Sequence, residues 1–469
     1  MSRIETDICV IGAGSGGLSV AAGAVQMGAR VVLVEGHLMG GDCLNYGCVP
    51  SKALIAAAKT AETVRKGGFG IAGREPEVDF AATRDHVAEV IAAIAPVDSE
   101  ERFTGMGVRV IRDWGRFVSR TELAAGGFTI AARRFVIATG SRPGVPPIPG
   151  IADVPVLTNE TVFSLREKPG HLVVLGGGPI GMEMAQAHRR LGCRVTVVEG
   201  ARAMGRDDPA LVARLLDRLR GEGIDIREGV KVDRVSGGDG VTLHTDQGEI
   251  TGTHLLVAAG RVVNLDRLDL GAAGVAHDAR GVKVDARLRS VTNRRVFAVG
   301  DVAGGGFTHV AGYHASVVVR QAVLGLPAKL RTDHIPRVTF TDPELAHVGL
   351  TEAEARKRFG RALEVVSADF HHNDRAMAEG RTEGIAKVMV VRGKPVGATI
   401  LGVQAGELIG LWALAIAGRM RMSAVADTIL PYPTLGEINK RVTGAYFGPK
   451  LFNSPLVKRV VGVVQRWLP

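Results

Sequence analysis

An α/β protein that carries one strand–turn–helix–strand unit twice over is what this sequence predicts, on three observations. Two glycine-rich turns each follow a short apolar run and lead into a helix-like stretch, and each unit closes on a second apolar run that ends in a glutamate. The third is size: 469 residues exceed one ordinary core, since domains run to about 100–200 residues, so three or four packed units are expected. An apolar fraction of 46%, 62 glycines and only 4% aromatics suit a chain with many tight strand-to-helix turns and argue against a fibrous or disordered one.

The first unit runs from Ile8–Ile11 through Gly12-Ala13-Gly14-Ser15-Gly16-Gly17 and a small-residue helix to the strand Val31–Val34 and Glu35. Its glycines let the backbone turn tightly and approach a pyrophosphate. The helix start supplies N–H donors, and Glu35 can accept from a ribose 2′-hydroxyl. The second unit repeats the device from Leu172–Leu175 through Gly176-Gly177-Gly178-Pro179-Ile180-Gly181 to Val195–Val198 and Glu199. Glu35 stands 23 residues after Gly12, and Glu199 stands 23 residues after Gly176. Gly12, Gly14, Gly17 and Glu35 in one copy, and Gly176, Gly178, Gly181 and Glu199 in the other, therefore imply two bound dinucleotides. Two further strands end in glycine, Phe135–Gly140 with Thr139 before the turn and Leu255–Gly260, and each is placed to close one nucleotide domain.

Of the four cysteines, Cys9 and Cys193 sit among apolar residues and read as small buried hydrophobes. Cys43 and Cys48 differ. They lie in Gly40-Gly41-Asp42-Cys43-Leu44-Asn45-Tyr46-Gly47-Cys48-Val49-Pro50-Ser51-Lys52, directly before an alanine-rich helix. Four intervening residues allow a local disulfide at a helix start, where the positive dipole end favours thiolate over thiol. A zinc half-site would need two more ligands, and no second cysteine pair supplies them.

With this cysteine string between two glycine fingerprints, and Val296-Phe297-Ala298-Val299-Gly300-Asp301 further on, the sequence resembles the pyridine nucleotide-disulfide oxidoreductases over essentially its whole length. The resemblance implies an α/β fold of two Rossmann-like dinucleotide-binding domains, for FAD and NAD(P), plus a C-terminal α+β dimerisation domain. Expected boundaries are 1–148 and 263–331 for the two parts of the FAD domain, 149–262 for the NAD(P) domain and 332–469 for the interface domain. It implies that Cys48 faces the flavin as its thiolate partner and that Cys43 attacks the acceptor. By the same resemblance Lys52 is expected to lie beside the flavin ring and pair with Glu183, Gly41 to belong to the FAD loop, Asp301 to hold the ribityl chain, and Phe307–Ala311, with His309, to bring a helix start to the flavin. NAD(P)H gives hydride to the flavin, and the electrons leave through thiol–disulfide exchange to a small-molecule, disulfide or metal-ion acceptor. Two chains form each active site, with Tyr432 and Glu437 acting across a homodimer.

The chain also departs from the family pattern. Tyr432 occupies the position of the family's acid–base histidine, and a phenol of pKa about 10 matches proton transfer near neutrality poorly beside an imidazole at about 6.5. That argues against efficient lipoamide or glutathione turnover. Mercuric reductases use a further cysteine pair near the C-terminus, and no cysteine follows Cys193 here, which argues against efficient Hg(II) reduction as well. Asp42, where the family usually has threonine, is expected to raise the thiol pKa of Cys43. Glu199 favours NADH, while Arg202 and Arg206 are near enough in sequence to offer a phosphate site; NADH is the expected choice. Direct reaction at the flavin with quinones or dyes is the alternative activity, and a membrane-associated binding partner with weak catalysis is a third reading.

A net charge of +10 and a pI near 9.7 attract anionic partners of any kind. The arginines are spread along the chain without interleaved aromatics, so nucleic acid is not expected to be one of them. The N-terminus lacks the features of a secretory signal and no run of about 18 apolar residues occurs, so a cytoplasmic protein without a spanning helix is expected. The tail 451–469 places Leu456, Val457, Val460, Val461, Val464, Trp467 and Leu468 at helical spacing with Lys458, Arg459 and Arg466 between them. Such a helix either rests on an anionic surface, at the inner membrane face, or docks on a partner or on its own dimer.

Overall fold

Strands buried on both faces read as continuous apolar runs, and Ile8–Ile11 and Val31–Val34 are of that kind. In the computed structural model, which describes residues 2–468, they form the centre of a parallel sheet. Met1 and Pro469, the outer ends of the expected domains 1–148 and 332–469, lie outside the described residues. The strand order is Arg109–Ile111, Val31–Val34, Ser2–Ile11 and Phe128–Ile137, all parallel, with Ile8 opposite both Val31 and Arg134. Val296–Ala298 adds alongside the end of Phe128–Ile137, and the antiparallel pair Glu122–Ala125 and Arg116–Ser119 covers its beginning. Alternation along Ser2–Ile11 splits the core into two layers. Ile8 and Val10 pack with the helices Ser15–Gln26 and Thr308–Ala322, and Cys9 and Ile11 pack with Phe117, Leu123 and Phe135 on the other face.

The second glycine unit builds a second parallel sheet, ordered Val156–Leu157, His254–Val257, His171–Leu175, Arg194–Glu199 and Asp225–Glu228. A three-stranded antiparallel sheet, Val232–Gly237, Val241–Thr245 and Gly248–Gly252, packs Val235, Leu243 and Ile250 against Val173 and Leu255. In both sheets the strand that runs into a glycine turn lies directly beside the first strand of its unit, so Thr139-Gly140 and Gly260 come to the same sheet end as the fingerprints. Cys9 and Cys193 are fully buried, and burial pushes the Cys193 thiol up to about 11.

The chain divides into two compact units: residues up to Ala201 with Ile224–Leu330, and Arg202–Gly223 with everything from Arg331 on. The second unit is an antiparallel sheet in the order Pro336–Thr339, Glu344–Gly349, Lys394–Gly402, Ile385–Val391 and Leu363–Asp369. Its core closes around Trp412, whose indole N–H donates to Asn439 Oδ1 at 2.7 Å. The helix Pro209–Gly221 belongs to this unit, and two acids before it show why. Asp207 pairs with Arg337 at 3.0 Å, and buried Asp208 pairs with Lys387 at 2.7 Å while capping the helix through the N–H groups of Ala210 and Leu211. Among the described residues, no helix is long and apolar enough to cross a membrane.

One buried group makes the stability of this unit pH-dependent. His347 is 1% exposed; its Nδ1 accepts from the Thr399 hydroxyl at 2.8 Å and its Nε2–H donates to the Gly349 carbonyl at 2.9 Å, a pattern that the neutral ring satisfies. Burial pushes its pKa down to about 4. An unfolded chain protonates this ring near pH 6.5, so the stabilisation is complete above that pH and is lost as the pH falls toward 4. At about 1.4 kcal/mol per unit of pKa this is worth on the order of 3 kcal/mol. His347→Gln is expected to narrow the difference in urea midpoint between near-neutral and mildly acidic buffer; an unchanged difference would remove His347 from the account.

Candidate active site

The two glycine turns are built alike. Gly12 has φ +107° and Gly176 φ +116°, and a Cβ on either would meet the carbonyl oxygen of the neighbouring strand end, Ala138 at 2.4 Å and Ala258 at 2.5 Å. The third glycines, Gly17 and Gly181, approach the carbonyls of Gly12 and Gly176 so closely that a Cβ would lie 1.9 and 2.0 Å from them. The middle glycines are different: Gly14 has only Gly41 Cα at 3.9 Å, and Gly178 has nothing within 4 Å. Gly14 and Gly178 cap the helices Ser15–Gln26 and Pro179–Arg190 without a side-chain hydrogen bond, which leaves the helix-start N–H groups for an anion. Each acid ties its own loop together. Glu35 accepts from Ala13 N and His37 N, both at 2.6 Å, and Glu199 accepts from Gly177 N at 2.7 Å and Ala201 N at 2.9 Å. The donor set and the space over the middle glycines fit a dinucleotide pyrophosphate and ribose in each copy.

Cys43 lies in the short helix Gly41–Asn45, and Cys48 is the first residue of the helix Cys48–Lys66. The acidity of each thiol depends on the other; Cys43 is half-buried, and the Cys48 Sγ lies 3.3 Å from the Thr308 hydroxyl. Their acidities split. The hydrogen bond from Cys43 pushes Cys48 down to about 6, helped by the Thr308 hydroxyl at 3.3 Å and by the Lys52 ammonium, against burial and the Asp42 charge. Cys43 moves far up, because it holds the proton that Cys48 accepts and because it is partly buried. The rise at Cys43 has the direction the sequence predicts, with Cys48 and burial as its leading causes, and Asp42 also opposes ionisation of Cys48. The carboxylate is turned away to Arg261 at 3.1 Å and Asn159 at 2.9 Å.

Around the thiols the chain supplies a set of paired charges. Lys52 Nζ contacts Glu183 Oε2 at 2.7 Å, joining the cysteine helix to the helix Pro179–Arg190. Arg261 donates to the Ser141 hydroxyl at 2.7 Å and the Ser141 carbonyl at 2.8 Å; that hydroxyl in turn donates to Asp301. One guanidinium thus stands between Asp42 and Asp301. Asp301 occupies a turn whose first residue, Gly300, donates its N–H to His314 Nδ1 at 3.3 Å, and burial holds that imidazole below its usual pKa and so as an acceptor. Asn264 clasps the other turn, donating to the Thr139 carbonyl at 3.0 Å and accepting from its hydroxyl on the main-chain oxygen at 2.6 Å. His309 stacks on Phe307 at the start of the helix Thr308–Ala322, with ring centroids 5.4 Å apart.

The first unit thus brings together Cys43, Cys48, Lys52 and Glu183 and carries Asp301, His309 and both glycine turns. Tyr432 and Glu437 lie in the second unit. The Tyr432 hydroxyl donates to Asp374 Oδ2 at 2.9 Å, and that contact holds the phenol above its usual pKa. Glu437 opens the helix Glu437–Phe452 and accepts from Thr434 N at 3.4 Å. Sequence reasoning missed Thr308, Ser141, Arg261 and His314. Thr308 was within reach, inside the segment read as a helix start. Arg261 directly follows Gly260, but nothing in its neighbourhood names Asp42 or Asp301 as partners.

The split acidity is directly measurable. In the reduced protein, alkylation of Cys48 is expected to follow a midpoint near pH 6, well ahead of Cys43, and Thr308→Val should move that midpoint upward. A Cys48 midpoint at the ordinary thiol value of about 8.5 would contradict the hydrogen-bonded arrangement.

Residues 6–322 match the family model described as pyridine nucleotide-disulphide oxidoreductase, and residues 335–442 match the dimerisation domain of the same family. The chain is 35% identical over 454 residues to a mercuric reductase from Acidithiobacillus ferrooxidans, covering 92% of this chain and 81% of that one. It is 34% identical over 460 residues to a dihydrolipoyl dehydrogenase from Geobacillus stearothermophilus, covering 93% and 95%. Among solved structures, the HOCl-induced flavoprotein disulfide reductase RclA from Escherichia coli superposes with a TM-score of 0.84 at 29% identity, covering 93% of this chain and 99% of that one, and its Cu(II) complex matches equally well. Paired dinucleotide turns, a thiol pair at a helix start and these matches make the chain a member of the pyridine nucleotide-disulphide oxidoreductase family, whose members use FAD and NAD(P)H.

Proposed function

We propose that Cys43 and Cys48 alternate between disulfide and dithiol and pass electrons from NADH to a thiophilic metal ion bound at Cys43. At the coarser level the function is plain: an FAD-dependent oxidoreductase moving electrons from NAD(P)H through a redox disulfide to a disulfide or metal-ion acceptor, in a homodimer. The finer reading rests on the thiol pair at a helix start, with the Thr308 hydroxyl 3.3 Å from Cys48 and Lys52 held by Glu183 at 2.7 Å. In it, 1–148 and 263–331 hold FAD, 149–262 holds the nicotinamide nucleotide, and 332–469 is the interface domain with a basic amphipathic tail. Gly12, Gly14, Gly17, Glu35, Gly41, Lys52, Thr139, Gly140, Asp301 and His309 serve FAD; Gly176, Gly178, Gly181, Glu199 and Gly260 serve the nucleotide. Bound FAD supplies a hydride acceptor that can return the electron pair to a neighbouring disulfide.

Reduction breaks the S–S bond with two electrons and leaves Cys48 as thiolate and Cys43 as thiol. The Lys52–Glu183 pair and Thr308 keep the negative charge on Cys48. A metal ion takes Cys43 as ligand by displacing its proton, and re-forming the S–S bond delivers two electrons to one two-electron ion or to two one-electron ions. Tyr432 favours the metal over a disulfide substrate. Disulfide exchange needs a proton for the departing thiolate, and a phenol that donates to Asp374 and sits above its usual pKa is a poor source near neutrality. In this reading Tyr432 and Glu437 act across the homodimer. A redox pair of this kind works in a reducing compartment, the cytoplasm.

Glu199 supports NADH over NADPH. Its two backbone contacts fix the carboxylate in the loop, where a 2′-phosphate would meet a fixed negative charge. The expected outcome is a kcat/KM at least about tenfold higher with NADH, and the reverse ratio would transfer the phosphate-binding role to Arg202 and Arg206. Cys43→Ser is expected to cut NADH-dependent reduction of Cu(II) by about a hundredfold or more while dye reduction survives. Metal-ion reduction that persists in Cys43→Ser would favour direct reaction at the flavin.

A further inference from the structure

The chain ends in a helix that the proposed chemistry does not use. Pro455–Trp467 has no buried residue; Ser454 caps it by accepting from Val457 N at 3.3 Å, and Pro455 fills its first turn. At about 100° per residue, Leu456, Val457, Val460, Val461, Val464 and Trp467 fall within an arc of roughly 160° that also takes in Val463. Lys458, Arg459, Gly462, Gln465 and Arg466 occupy the rest of the circle. The apolar arc faces water: Leu456 is 68% exposed, Val460 53% and Trp467 78%.

Charge chooses the occupant. After Glu437 the chain contains Lys440, Arg441, Lys450, Lys458, Arg459 and Arg466 and not one acidic residue. A second copy of the helix laid on the apolar arc would bring like charges to both edges of the contact. The matched dimerisation domain ends at residue 442, so the helix also lies beyond the family's interface region. An anionic headgroup layer meets every requirement at once: acyl chains cover the valines and Leu456, phosphates neutralise the bases, and the indole in the last turn of the helix is of the kind enriched at membrane–water interfaces.

We propose that the helix 455–467 lies in the plane of an anionic phospholipid surface and holds the enzyme there. With the FAD-loaded full-length enzyme and sedimented vesicles, binding to phosphatidylcholine containing phosphatidylglycerol should exceed binding to phosphatidylcholine alone by at least about tenfold and weaken with added salt. Trp467 emission should shift to the blue on binding, and Trp467→Phe should abolish that shift. The double variant Val460→Asp/Val464→Asp should lose binding about tenfold or more while keeping the FAD content, dimer mass and NADH-dependent turnover of the parent enzyme. Equal binding to both vesicle types, or equal binding by parent and double variant, overturns the proposal. So does a parent enzyme that ignores vesicles yet forms an assembly larger than a dimer that Val460→Asp/Val464→Asp dissociates, which would assign the arc to a second copy of this chain.

Discussion

One proton shared between two sulfur atoms governs the rest of the site. Two cysteines side by side at a helix start cannot both be thiolates, because the second charge would be created next to the first. Placement favours the charge on Cys48, because the Thr308 hydroxyl and the Lys52 ammonium act on that sulfur while Cys43 keeps the proton. The surrounding groups reinforce that choice. Thr308 and Lys52 stabilise the Cys48 thiolate, and Glu183 restrains Lys52 from the neighbouring helix. The consequence is that the two sulfurs differ in acidity although only four residues separate them.

Electrostatic balance extends outward from the pair. Asp42 sits one residue before Cys43, where an unpaired carboxylate would work against thiolate formation. Arg261 and Asn159 turn it aside, and through Ser141 the same guanidinium reaches Asp301 on the opposite turn. The residue preceding the redox cysteine and the acid read as the ribityl anchor are thus linked by one chain of contacts. A change at any member of it would be felt at both ends.

The twin nucleotide turns show how little a dinucleotide site needs in side chains. Backbone curvature at Gly12 and Gly176, close approach at Gly17 and Gly181, and one carboxylate bridging each loop account for both cradles. The departures from the family pattern lie elsewhere, at Tyr432 and in the basic tail. The phenol is engaged with Asp374 in place of a free acid–base group. The tail adds a charged amphipathic surface beyond the dimerisation region.

The two nucleotide units, their spacing and the cysteine string were legible in the sequence because each is local: a turn geometry, a helix start and an acid at fixed separation. Cys9 and Cys193 were legible as core for the same reason, from apolar neighbours on a strand. Tertiary structure alone decided what depends on residues far apart in the chain. Arg261 meets Asp42 across more than two hundred residues, Thr308 reaches Cys48, and Asp207 and Asp208 tie the helix Pro209–Gly221 to the C-terminal sheet. The direction of the thiol acidities belongs to this second group. Asp42 pointed to the right sulfur for the raised value, but the lowering at Cys48 draws on Thr308, which lies 260 residues away in the chain.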